Sequence, residues 1–334
     1  MYLRGTEDGT LFPKDRCVVT SDGAHVAYTI KGQKSPVVVL CAGLVCPDNF
    51  WKYLVPSLQR HYSVLVWNYR GSGASGMPTA PGFRTRNYTA DDFAVELYAD
   101  DLREILDREG ISEVVVLGHS MGTQVALEAY RLMPDRVRAI VSVAGPFGAP
   151  LDSFYNTRLS SELFPLISFA ISHTPGLGPV WRALLRSPIV HPIALAVRAL
   201  GPATKEEDMK PYYDHLASLD PLVVVKMAEA AHAHSAEDLL RHIDVPTLVV
   251  VGEKDNFTPP WVGHVMASRI PVAELCVVPE GTHTTLIEYP KVVNRAVLDF
   301  LRRHLGETQG AVSLTARRRA RARRSSTDAA TPRP

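Results

Sequence analysis

Val114-Val115-Val116-Leu117-Gly118-His119-Ser120-Met121-Gly122 decides the architecture. Its first four residues are apolar without alternation, which suits a strand covered on both faces, because a strand with one wet face alternates apolar and polar. Residues 121–132 then take up helical spacing with no loop between. The Gly118-x-Ser120-x-Gly122 junction is therefore a sharp strand-to-helix turn. Small residues two before and two after the serine let strand and helix approach, and the strained turn projects the hydroxyl above the sheet edge. The Met121 N–H falls at a helix N-terminus, where unpaired donors and the helix dipole favour a developing oxyanion. A glycine-rich turn with an incidental serine is the bland alternative.

The same rhythm extends outward. Apolar runs at 17–20, 25–30, 37–41, 64–67, 114–117, 137–143, 247–251 and 275–278 are bounded by turn residues. The first two flank Ser21-Asp22-Gly23 and read as a hairpin. The later runs alternate with helical segments near 50–59, 91–109, 121–132, from Pro260 onward, and at 290–305. Strand-helix alternation predicts an α/β fold: a doubly wound, mostly parallel, eight-stranded sheet. From 146 to 242 the alternation breaks into helix-biased sequence punctuated by Pro165, Pro175, Pro179, Pro188, Pro192, Pro202, Pro211 and Pro221. The expected organisation is a core over 15–145 and 243–305, a helical cap inserted over 146–242, and a tail over 306–334.

With 46% hydrophobic and 21% charged residues in 334, the chain has an ordinary globular balance. Its net charge of +1 is uneven: residues 307–334 hold seven arginines against Glu307 and Asp328, six of them within 317–324. Such a composition does not bury enough apolar surface to offset chain entropy, so a disordered Arg-rich tail is expected, with charge suited to nucleic acid or an anionic membrane. The body has no basic field, and specific nucleic-acid recognition is not expected. Cys17, Cys41, Cys46 and Cys276 are dispersed, which argues against a disulfide framework or a zinc site. The first residues carry charges and no apolar stretch of seven, so a cytoplasmic location is expected. The apolar stretch 163–171 is half the length of a transmembrane span.

A serine hydroxyl needs a base, and that base needs a third group to fix its tautomer. His283 lies in Pro279-Glu280-Gly281-Thr282-His283, just past the last apolar run, and Asp255 follows the 247–251 run in Gly252-Glu253-Lys254-Asp255. Their order after Ser120 is the serine, acid, histidine order of strand-to-helix nucleophile turns. Glu253 and Asp152 are rivals for the acid.

On these motifs the chain resembles the α/β-hydrolase superfamily, in its capped serine esterase and lipase-like branch, over about residues 15–305. Asn68-Tyr69-Arg70-Gly71-Ser72-Gly73-Ala74-Ser75 is similar to the family's D-x-R-G-x-G-x-S segment, 252–259 to its G-x-x-D-x-x-x-P loop, and 283–290 to its H-x-x-x-x-E-x-P stretch. The resemblance implies that the backbone N–H of Leu44 is a second oxyanion donor beside Met121. Two departures stand out: Ala42-Gly43-Leu44 replaces the family's His-Gly, and Asn68 replaces an aspartate. A serine nucleophile disfavours the haloalkane dehalogenase and epoxide hydrolase branches, which need an aspartate there. The resemblance implies hydrolysis of a small, apolar carboxylic ester through an acyl-enzyme at Ser120, without cofactor or metal. Thioesterase, lactonase, perhydrolase or C–C bond hydrolase chemistry is the alternative, and a noncatalytic ligand-binding homologue a further one.

Other patterns compete with bland readings. Gly71-Ser72-Gly73-Ala74-Ser75-Gly76 spells a dinucleotide fingerprint, but Pro78 and Pro81 deny the helix that would receive the pyrophosphate. His232, His234 and His242 lack metal-ligand spacing and are expected to be ordinary cap histidines. Arg70 suits a structural hydrogen-bonding role better than an anion clamp. Leu163, Phe164, Leu166, Ile167, Phe169, Leu177, Trp181 and Leu184 either wall an apolar acyl pocket or hold the cap on the core.

Overall fold

The computed structural model describes residues 11–78, 88–174 and 176–306; the Arg-rich run 317–324 lies outside them. Eight strands form one sheet: β1 (Arg16–Val19), β2 (His25–Lys31), β3 (Val37–Cys41), β4 (Ser63–Trp67), β5 (Val114–His119), β6 (Val137–Val143), β7 (Thr247–Gly252) and β8 (Ala273–Val278), in the order β1-β2-β4-β3-β5-β6-β7-β8. β1 and β2 pair antiparallel across a turn in which Gly23 takes φ +92°, β2 lies antiparallel to β4, and every other neighbouring pair is parallel. The chain leaves β3 for β4 on one side and returns to β5 on the other. That reversal makes the carboxyl ends of β3 and β5 a topological switch point, the place where open α/β sheets bind ligands.

The helices are α1 (Val55–Leu58), α2 (Val95–Glu109), α3 (Met121–Leu132), α4 (Leu159–His173), α5 (Leu177–Leu185), α6 (Val190–Ala196), α7 (Glu206–Ser218), α8 (Pro221–Ala233), α9 (Pro260–Arg269), α10 (Thr285–Glu288) and α11 (Pro290–Leu305). All five residues of β3 are buried, and they alternate between two cores. Val37, Val39, Val114 and Val116 pack with α2 and α3, whereas Val38, Leu40, Val115 and Leu117 pack with α1 and α11. α11 shows the matching helical period, burying Val293, Val297, Phe300 and Leu301.

Helices α4 to α8 leave the sheet after β6 and return before β7 as a helical cap region. Two helices differ from the sequence expectation. The 50–59 segment is a 3-10 turn over Asp48–Trp51 followed by the short α1, because Pro56 supplies no N–H and suits only a helix start. The 91–109 helix begins at Val95, since Ala94 is extended (ψ 140°) after a 3-10 turn capped by Thr89 and Asp92.

The cap is held by residues the sequence did not single out. On α7, Asp208 is buried against Lys52, with the Tyr53 hydroxyl 3.1 Å from its carboxylate, and its carbonyl accepts Asn49 Nδ2 at 2.6 Å. On α8, Val223, Met227 and Ala230 join the core, and the Ala231 carbonyl accepts Gln124 Nε2 at 2.8 Å. Leu163, Leu166, Ile167, Phe169 and Leu184 are exposed and serve neither of their expected roles, while Phe164, Leu177 and Trp181 are half-buried.

Candidate active site

Ser120 sits between β5 and α3 with φ 53° and ψ −127°, a conformation that non-glycine residues rarely adopt. Crowding imposes it. A Cβ on Gly118 would lie 2.2 Å from the Gly122 carbonyl oxygen, and one on Gly122 would lie 1.9 Å from that of Cys41. Strand, turn and helix therefore close on one another only with both glycines present, and α3 is pressed against the end of β3.

The serine hydroxyl meets His283, whose Nε2 is 2.8 Å from Ser120 Oγ. The other ring nitrogen, Nδ1, is 3.0 Å from Asp255 Oδ2. Asp255 is 2% exposed and has its second oxygen filled by the N–H groups of Phe257 (2.8 Å) and Thr258 (2.9 Å). Held from both sides, it leaves one oxygen aimed at the imidazole. The rivals stand elsewhere: Glu253 is exposed and accepts the Glu280 N–H at 3.1 Å, and Asp152 is exposed in the turn after β6.

Met121 opens α3, and Leu44 lies in the turn closed by Cys46 N–H to the Gly43 carbonyl at 3.1 Å. A Cβ on Gly43 would lie 3.1 Å from Ser120 Cβ, so this turn abuts the turn that carries Ser120. Val45 is driven to φ 47° there, a costly conformation for a β-branched residue. Among the described residues neither the Met121 nor the Leu44 N–H finds an acceptor.

His119, silent in the sequence reading, is fully buried beside these groups. It stacks on Phe50 at 5.2 Å and donates Nε2–H to the His283 carbonyl at 3.0 Å. Burial first, and the neighbouring His283 second, push its imidazole down to about 3, so it is neutral and fixed in one tautomer. Phe257 lies 5.2 Å from the His283 ring, with Phe154 edge-on to it at 4.8 Å, giving this side of the site an aromatic wall.

A sequence profile described as the alpha/beta hydrolase fold matches residues 36–290. The chain belongs to the α/β-hydrolase family. It is similar to a putative carbamate hydrolase, RutD, of Azorhizobium caulinodans, with 26% identity over 277 residues covering 83% of this chain and 95% of that protein. Among solved structures, the enol-lactonase of Burkholderia xenovorans LB400 overlays with a TM-score of 0.64 at 22% identity, covering 86% of this chain and 99% of that one. A thermophilic esterase of Thermogutta terrifontis overlays with a TM-score of 0.63 at 24% identity, covering 86% and 98%.

The remaining motifs of this α/β-hydrolase have structural places. Asn68 Oδ1 accepts the Ala74 N–H at 3.2 Å, an acceptor's task that the amide performs in place of a carboxylate. Glu288 binds Thr282 N–H at 2.7 Å and Thr204 Oγ1 at 2.7 Å, fastening the His283 loop to the cap region. Arg70 bonds carboxylates: Nε and Nη2 reach Asp101 at 2.9 and 2.5 Å, and Nη1 reaches Asp22 at 2.5 Å. Gly76 pairs with His25 of β2, not with a helix. His234 bonds Glu128 at 2.9 Å with Glu96 nearby; this group has metal-ligand spacing, yet Arg131 already supplies positive charge to Glu128 at 3.1 Å.

Proposed function

We propose that this hydrolase cleaves carboxylic esters of small, apolar alcohols or acids through an acyl-enzyme at Ser120, in the manner of a carboxylesterase. The unbroken run from Ser120 Oγ through His283 to Asp255 Oδ2, at 2.8 and 3.0 Å, carries this reading. Ser120 Oγ attacks the carbonyl carbon while its proton passes to His283 Nε2. His283 Nδ1–H stays bonded to Asp255, which holds the tautomer and stabilises the imidazolium. The carbonyl oxygen, now negative, rests on the Met121 and Leu44 N–H groups. Collapse expels the alkoxide, which takes the proton from His283 Nε2. A water, deprotonated by the same nitrogen, then attacks the acyl carbon and releases the acid and Ser120.

The Phe154–Phe257 contact at 4.8 Å supports an apolar substrate. The four cysteines are free thiols, in keeping with a reducing, cytoplasmic setting. A chain-length series of nitrophenyl esters, set against lactones and thioesters, tests the substrate class. Ester turnover should exceed the others and fall on the order of 10⁶-fold in Ser120→Ala. Faster turnover of lactones or thioesters would move the assignment to that acyl class.

A further inference from the structure

Helix α4 is inverted relative to an ordinary surface helix, whose apolar stripe faces the core. Leu159, Leu163, Leu166 and Ala170, spaced four, three and four residues apart, share one stripe, and all four are exposed. Ser168, on the other side, is its only buried residue and bonds Glu229 of α8. Leu166 and Phe169 are 67% and 63% exposed, and Val180 and Leu184 on α5 are 65% and 53% exposed. Both helices rest on α8, so their outward sides lie away from the core. A soluble monomer rarely leaves a patch of this kind uncovered.

Charge selects the occupant. From residue 157 to 198 the sequence holds Arg158, Arg182, Arg186 and Arg198 against Glu162 alone, a formal +3. Among the described residues none of the four arginines pairs with a carboxylate. A two-fold contact with a second copy would bring two segments of the same net charge together. No helix among the described residues is long and apolar enough to cross a membrane. Exposed apolar side chains on helices too short to span, with exposed arginines on or beside the same helices, suit a surface that lies in a lipid interface.

We propose that the outward face of α4 and α5 docks on an anionic lipid bilayer, the apolar side chains entering the acyl boundary and the arginines meeting the headgroups. The arginines at 317–324 carry the same sign and add attraction. Docking would hold the hydrolase at a lipid surface, whatever bond Ser120 attacks.

Co-sedimentation of the full chain with vesicles of equal parts phosphatidylglycerol and phosphatidylcholine tests this, with pure phosphatidylcholine vesicles alongside. Binding to the anionic vesicles should weaken with salt. It should fall about tenfold or more in Leu166→Glu/Phe169→Glu, and similarly in Arg182→Glu/Arg186→Glu. These side chains are exposed, and unchanged circular dichroism melting shows that the variants remain folded. No binding by the wild type, or equal binding by either folded variant, overturns the proposal. So does light scattering that finds a dimer without lipid, dissociated by Leu166→Glu/Phe169→Glu, since the face would then cover a second copy.

Discussion

Asp255 has one oxygen consumed by two backbone N–H groups and the other 3.0 Å from His283 Nδ1, so its only free task is to orient that ring. Asp255→Asn keeps the shape but presents the wrong group to Nδ1, and ester turnover should fall about 10⁴-fold. Glu253→Gln, on an exposed side chain, should leave kcat within about a factor of two; steady-state kinetics on one nitrophenyl ester separates the two carboxylates. At this scale, much of the candidate site was legible. Ser120, Asp255 and His283 announce themselves by position after apolar runs, because a loop at a strand's carboxyl end is where such a side chain is wanted. His119 does not, because a neutral buried histidine leaves no pattern: its partners Phe50 and His283 are distant in sequence and only the fold assembles them. The strain at Val45 was equally hidden, since valine is the residue least expected at φ 47°.

The element that fixes the site is the β5-turn-α3 unit, and its tolerance is set by backbone contact. Gly122→Ala would place a methyl 1.9 Å from the Cys41 carbonyl oxygen, with no flexible side chain to yield. The expected cost is about 3 kcal/mol, read as a lower urea midpoint with an unchanged slope. The far end of α3 joins α8 through Glu128 and His234. Burial alone would raise the Glu128 carboxyl, but the His234 hydrogen bond, with Arg131, holds it below its ordinary 4.5. A carboxyl lowered on folding adds stability above its unfolded value, and that contribution is lost as pH falls through the folded one. The stability gap between wild type and Glu128→Gln should therefore narrow below pH 4.5, measured by urea unfolding across the acid range. A gap that is constant with pH would deny the pairing. Core strands were readable because burial on both faces writes uninterrupted apolar runs. The helical cap region was readable as a proline-punctuated break in that rhythm, but its anchoring was not, since the anchors are a buried aspartate on α7 and apolar side chains on α8, while its most apolar helix turns its stripe outward.

Across the whole molecule, a buried arginine joins parts that the sequence leaves far apart. Arg70, beyond β4, grips Asp101 of α2 with two nitrogens and reaches Asp22 in the β1–β2 turn. Arg70→Met would leave Asp101 without its ionic partner at 1% exposure, so that it must take up a proton or stay buried as a lone charge, at a cost of about 3–5 kcal/mol. A drop in Tm with fluorophosphonate reactivity retained at low temperature would place its role in the scaffold; loss of reactivity in a fully folded variant would place it at the site. The sequence exposed the architecture through alternating strands and helices but not this clamp, because ionic partners at such separations follow no local period. Everything proposed for the chemistry rests on Ser120 being an activated nucleophile, and mass spectrometry after fluorophosphonate treatment tests that most directly. One adduct on the peptide carrying Ser120, absent in His283→Ala, is the predicted result. A folded protein that takes no label, or takes it on another residue, would contradict the account.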